Sequence, residues 1–371
     1  MIFWKPSGHA IGHKCRRSLV RVVGLRIRRR SLPLMLIWAM MCPYGYAVSI
    51  IDYCPTFNAR VSENRVIVMT RVFRSESESW GLIVDSDTLT TSVQPLRSVT
   101  ALRPATPDRY HATRYARLMA IVANGRHPLA NDGVVAVGGS GVAITVDLCP
   151  SPKPFDRDIF SILRAHIHSK SQHRLTIADS GHGSLKGLVQ NGSDGAFRNK
   201  GFKHPSIPVA LCVSGRWIES HPDDLAWITA NVASGHIQVT WVNHSYSHFY
   251  DPRRPLENNF LLASPNSFES EVLKSEVTML SRGLVPSIFF RFPGLISSPE
   301  LVHRLIALHD IPIGANAWLA KGERPVEGSI VLVHGNGNEP LGIDVLRRAM
   351  PEVSGPLKCL SDLKLSQTII R

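Results

Sequence analysis

The stretch Val142-Ala-Ile-Thr-Val-Asp147 is a continuous apolar, β-branched run that ends on a carboxylate. A run of that length and composition reads as a strand buried on both faces, as in a parallel sheet. A helical pattern follows from about Asp156, with Ile159, Ile162, Leu163 and Ile167 on one face, and the alternation then repeats. Further strands are expected at Ile207–Val213, Ile237–Asn243, Ser287–Phe292, Ile311–Ala315 and Ser329–His334. One helix begins at Pro222 with Asp223 and Asp224 in its first turn and stops at Gly235; another carries Leu273, Val277 and Leu280 and ends at Gly283. A third takes Ser298 as N-cap and Pro299 as its first residue, with Leu301, Leu305 and Leu308 beneath. This βαβα order predicts an α/β fold around a parallel sheet, open or closed into a barrel.

The chemistry collects at one end of those strands. Asp147, His244, Arg291 and His334 each stand at, or one step beyond, the C-terminal end of an expected strand, the face on which α/β sheets and barrels build sites. His244-Ser-Tyr-Ser-His248 spaces two imidazoles four residues apart, so on a helical turn both rings could hold one metal ion. Asp147 either caps the next element or, facing a cation, takes a proton from water. His334 is suited to protonate a leaving amine. Arg291 can hold a carboxylate through a bidentate contact, and Gly294, in Arg291-Phe-Pro293-Gly294, lets backbone approach a ligand so that its amide could serve an oxyanion. The stretch from about Ser169 to Ser206 is rich in Gly, Ser, Asn and Lys and reads as a surface insertion; its Asp179-Ser-Gly-His-Gly183 is taken as loop chemistry.

Upstream lies a different composition. The 371 residues carry a net charge of +13, yet residues 1–30 hold nine Lys/Arg and no acid, which leaves +4 for everything else. A nucleic-acid binder would spread that charge along a face, so nucleic acid is not an expected partner. The Arg26–Arg30 cluster, the apolar stretch Leu32–Val48 and Gly45-Tyr-Ala47 describe a secretory signal or a membrane anchor over residues 1–47, so the protein is expected to be exported to the periplasm or beyond, with membrane attachment through this segment as the alternative. Residues 48–137 offer strand-like runs at Arg65–Phe73 and Trp80–Val84 but no motif, and stand as an N-terminal extension; 138–350 is the catalytic domain and 351–371 a tail. Six cysteines show no metal-like spacing, and Cys149 and Cys212 sit in apolar contexts that favour small buried hydrophobes.

Taken in order, Thr145-Val-Asp147, His244/His248, Arg291-Phe-Pro293-Gly294, Asn316-Ala-Trp318 and Leu332-Val-His334 resemble the five sequence blocks of the polysaccharide deacetylase family, the NodB-homology domain of carbohydrate esterase family 4. The resemblance covers about residues 138 to 350 and implies a distorted (β/α) barrel with an open groove. It also implies a divalent metal, zinc first and cobalt or nickel as alternatives, and hydrolysis of the acetamide of an amino-sugar glycan such as chitin oligomers, peptidoglycan or an exopolysaccharide. On the same ground Asp147 is the base, His334 the acid, His244 and His248 the metal ligands, Arg291 the residue steering the base, and Trp318 a wall of the acetyl pocket, with the backbone near Pro293 and Gly294 at the oxyanion. Two positions depart from the family. Leu148 stands where a second, metal-binding aspartate is usual, and Asn316 where the acid that orients the catalytic histidine is expected. These departures keep two other readings open: a glycan-binding protein with impaired catalysis, and a deacetylase of a small non-glycan amide.

Overall fold

The computed structural model describes residues 48–179, 205–263, 265–339, 341–367 and 369–370. The leader-like segment 1–47, with Cys15 and Cys42, and Ser180–Gly183 lie outside them. Among the described residues no helix is long and apolar enough to cross a membrane.

Ala47–Arg371 form one compact unit built on two sheets. The first is antiparallel, in the order β4-β3-β2-β1-β5, from β1 (Ile51–Ser62), β2 (Arg65–Ser75), β3 (Glu78–Asp85), β4 (Thr91–Pro95) and β5 (Arg103–Pro104). Because side chains alternate along a strand, β2 feeds two cores. Ile67 and Met69 join Ile83 and Val99, the latter on helix α1 (Leu96–Thr100), while Val66 and Val68 face the rest of the molecule. Helices α2 (Pro107–His111) and α3 (Arg114–Ala123) and a short strand β6 (Val134–Ala136) complete residues 48–137.

The second sheet is wholly parallel, seven strands in the order β11-β10-β9-β8-β7-β13-β12. Its members are β7 (Ala143–Leu148), β8 (Ile207–Val213), β9 (Ile237–Asn243), β10 (Phe289–Phe290), β11 (Ile311–Pro312), β12 (Ala317–Trp318) and β13 (Ile330–His334). Helices α4 (Asp158–Asp179), α5 (Gly215–Ser220), α6 (Pro222–Ala233), α7 (Phe268–Ser281), α8 (Pro299–Ala307) and α9 (Gly342–Ala349) connect and flank it, giving the expected α/β fold as an incomplete (β/α) barrel. The helix starts obey local rules: the Ser298 side chain accepts from Leu301 N, and Pro299 opens α8. Helix α4 runs on to Asp179, so the insertion expected from Ser169 is helical over its first eleven residues.

The gap between edge strands β11 and β12 is spanned by β6. Val134 bridges Ile313, Ala136 bridges Ser329 at the foot of β13, and Gly314 N donates to Val134 O at 2.9 Å. The extension therefore shares the barrel's interior: Val66, Val68, Val84, Leu89, Tyr115 and Leu118 pack in one apolar cluster with Phe289, Phe290, Leu305 and Ile311. The described residues after 350 fold back as well, with Leu357 bridging Val142, Leu360 and Leu363 in the same core, and β14 (Ile369–Ile370) pairing with β6.

One buried charge cluster ties extension to barrel. Arg71 on β2 has no exposed surface and donates to Glu276 of α7 through two nitrogens at 2.7 Å and to Asp310 at 2.8 Å; Tyr53 O–H adds a bond to Glu276 at 2.7 Å. Two carboxyls share one guanidinium, and burial together with the Glu276 charge pushes the Asp310 carboxyl well above its usual range despite Arg71. Removing one member of such a cluster leaves a buried charge uncompensated, which costs about 3–5 kcal/mol.

Candidate active site and metal centre

Alternation along β7 aims the site. Ile144, Val146 and Leu148 pack outward with Phe155, Ile159 and Leu163, whereas Thr145, Asp147 and the next residue of odd number, Cys149, turn toward the barrel mouth. Leu148 is fully buried in that outer core, so nothing polar replaces the family's second aspartate at its own position.

Asp147 lies beside His334 in the β7–β13 ladder. Its Oδ1 accepts from Arg291 Nη1 at 2.8 Å, and its Oδ2 is 3.7 Å from His244 Nε2. The bidentate contact expected of Arg291 is not made. Nη1 also donates to Thr145 Oγ1 at 2.7 Å and Nη2 to Gly314 O at 2.9 Å, while Nε is buried without a partner, so the guanidinium fixes one carboxylate oxygen and leaves the other facing the histidines. Burial raises the Asp147 carboxyl, but the Arg291 charge outweighs it and brings it down to about 2.

His244 and His248 meet by a route other than a helical turn. Residues 244–250 form an irregular loop in which Ser245 and His248 take left-handed backbone conformations, and Asn243 Oδ1 accepts from Ser245 N at 3.0 Å. His244 Nδ1 is 2.7 Å from Arg291 O; a carbonyl can only accept, so Nδ1 carries the proton and Nε2 presents its lone pair to the site. The Nε2 atoms of His244 and His248 are 3.1 Å apart.

Cys149 is not the small buried hydrophobe that its neighbours in the sequence suggest. Its Sγ is 3.7 Å from His244 Nε2, and the donor atoms of Cys149, His244 and His248 all lie within 4.8 Å of one another. Burial raises the thiol, yet the His248 charge and the contacts with the His244, His248 and His334 rings outweigh it and hold it well below its usual value. One sulfur and two imidazole nitrogens are a donor set that suits a divalent cation of the zinc type. Cys149, Cys212 and Cys359 are in no disulfide.

His334 closes the ring of functional groups. Its Nδ1 is 3.0 Å from Glu339 Oε2, close but not aligned as a hydrogen bond, and Glu339 Oε1 accepts from Trp318 Nε1 at 2.6 Å. The acid expected at position 316 therefore arrives instead from a loop five residues after the histidine. Asn316 itself is structural, since its Oδ1 accepts from Ile330 N at 3.0 Å and pins β13. Burial lowers the His334 imidazole, but the contacts with Cys149 and Glu339 and the Asp147 charge outweigh it and raise it to about 11. Trp318 stands beside it, ring centres 6.3 Å apart.

Pro293 and Gly294 follow Arg291 in a short turn, with Gly294 at φ +61°. The close approach expected there is made by the Tyr250 ring, since a Cβ on Gly294 would lie 2.5 Å from Tyr250 Cε2. Beside Cys149 and the histidine loop runs an open groove lined by Pro150, Arg216, Glu219, Ser220 and Tyr246. The inward direction of Cys149 is legible in the parity 145, 147, 149; Glu339 has no comparable signal.

No family model matches the chain. Solved structures share its outline. A family 4 carbohydrate esterase from Bacillus anthracis is 15% identical, over 67% of this chain and 90% of that one, with a TM-score of 0.40. A peptidoglycan N-acetylglucosamine deacetylase gives 15%, 66%, 96% and 0.39 for the same measures. A mutant described as a CE4 family pseudoenzyme gives 12%, 86%, 93% and 0.37. At such scores the chemistry has to be read from this chain's own residues.

Proposed function

We propose that this protein is a metal-dependent N-deacetylase acting on an acetylated amino-sugar glycan. What carries the reading is the meeting of Asp147, His244, His248, Arg291 and His334, residues spread over almost 190 positions, around one partly open point. Asp147 and His334 are driven apart in acidity, one to about 2 and the other to about 11. At neutral pH one is a carboxylate able to accept a proton and the other an imidazolium able to give one, the pairing that separates base from acid in hydrolysis.

A divalent cation held by His244 and His248, zinc first and cobalt or nickel as alternatives, supplies Lewis acidity toward the amide carbonyl when bound. This chain's residues do the rest. Asp147 Oδ2, which Arg291 does not occupy and which faces His244, takes the proton of the attacking water. His334, charged and backed by Glu339, delivers a proton to the departing nitrogen, so that acetate and a free amine result. Trp318 and the backbone after Arg291 border the space for the acetyl group. Export through residues 1–47 would bring the protein to extracellular glycans. Glu339 removes one of the two grounds for a catalytically impaired protein. The test is acetate release from chitin oligomers, peptidoglycan and other acetylated glycans, with chelator and after zinc, cobalt or nickel is restored. Activity on one of them that disappears with chelator and returns with metal is expected; acetate release indifferent to chelator refutes the proposal.

A further inference from the structure

We propose that Cys149 is the third protein ligand of the metal centre, bound through sulfur as a thiolate, and that it makes this a zinc site closed to hard cations such as magnesium, calcium and manganese. The inference rests on the functional reading above and deepens it.

Two buried cysteines at the ends of neighbouring strands make the point by contrast. Cys212 on β8 belongs to the main apolar cluster with Ala210 and Val242, and its thiol, beside Asp147 in the ladder, is held protonated by burial and the Asp147 carboxylate. Cys149 is equally enclosed but belongs to none of the apolar clusters; its sulfur lies among imidazoles. Backbone contacts hold it there. Leu148 O accepts from Ser214 N and Ser214 Oγ, each at 3.2 Å, and Cys149 O accepts from Asn336 Nδ2. With both flanking carbonyls tied and Leu148 anchored in the outer core, the Sγ position is preset rather than found by a flexible side chain.

The substitution also balances charge. A thiolate with two neutral imidazoles carries one negative charge, the same total as a carboxylate with two imidazoles, so losing an acid at 148 is made good one residue later. What changes is softness. Thiolate favours zinc and other borderline or soft ions over oxygen-seeking ones. Leu148, the other ground for impaired catalysis, then loses its force.

The test uses the full chain loaded with zinc. X-ray absorption at the zinc edge should show one sulfur at ~2.3 Å together with nitrogen scatterers at ~2.0–2.1 Å. In Cys149→Ser the sulfur should vanish and zinc affinity, measured by chelator competition, should fall ~100-fold or more. Cys149→Asp should still bind metal, without sulfur and with zinc's advantage over manganese reduced; melting curves of both variants report that the fold is kept. A sulfur-free shell in the wild type, no metal bound, or undiminished affinity in Cys149→Ser would overturn the assignment, as would an acetyl thioester trapped on Cys149, which would make it a nucleophile. Sulfur in the shell with no acetate released from any glycan would sink the deacetylase reading alone, and acetate release with a sulfur-free shell would sink only this one.

Discussion

Two arginines are fully buried among the described residues, and their surroundings differ in one respect. Arg71 meets Glu276 with two nitrogens and Asp310 with one, and Tyr53 takes up further acceptor capacity on Glu276. Arg291 meets a single oxygen of Asp147, gives one hydrogen each to Thr145 and Gly314, and keeps its Nε unpaired. The first arrangement engages both oxygens of Glu276 and ties the antiparallel sheet to the barrel. The second leaves an ionised oxygen turned toward histidines, where it can act. A buried ion pair is thus structural or chemical according to what its acid has left unspent.

Four measurements would break or sharpen that contrast. Asp147→Asn should lower the rate of acetate release ~10³- to 10⁴-fold while the chain remains folded; a variant that unfolds instead, or keeps its rate, would move Asp147 into the structural class. Arg71→Met should do the opposite, costing roughly 3–5 kcal/mol in denaturant unfolding with the rate per folded molecule unchanged. His309, against Phe57 and beside the Arg71 cluster, is brought down to about 4, first by burial and then by the Arg71 charge. Its native form is neutral, so its contribution to stability is present above the ordinary histidine value near 6.5 and is lost as pH falls from there toward 4. His309→Asn, which tolerates the left-handed backbone at φ +67°, should flatten that acid loss by roughly 3 kcal/mol in unfolding series at several pH values. Glu339→Gln should have the smallest effect, a ~10- to 100-fold slower turnover without a change in melting temperature. Removing its negative charge lowers the His334 value, so activity should fade at a lower alkaline pH than in the wild type; an unshifted profile would detach Glu339 from His334.

The same division governs what the sequence makes legible. Strands β8 and β9 coincide with the expected Ile207–Val213 and Ile237–Asn243, because a continuous apolar run has few alternatives to a buried parallel strand. Regular pairing at β10 and β11 is limited to Phe289–Phe290 and Ile311–Pro312, shorter than their apolar runs. The four strand-end residues are legible from strand ends alone, since register places Asp147 beside His334 without tertiary detail. Cys149 is misread when its neighbours are weighed instead of strand parity. Glu339 is invisible because it reaches His334 through a loop, where no periodicity constrains direction. The partnership of Arg71 with Glu276 and Asp310 spans more than 200 positions and leaves no local trace.

The strap of β6 across the barrel's open edge has a consequence for how this unit can be inherited. The parallel-sheet half does not own its last seam: Val134 and Ala136, supplied from upstream, stitch β11 to the foot of β13, and β14 stitches β6 in turn. A recombination or trimming event with its breakpoint near residue 138 would transplant every residue of the candidate site and still deliver a barrel with an unsewn side.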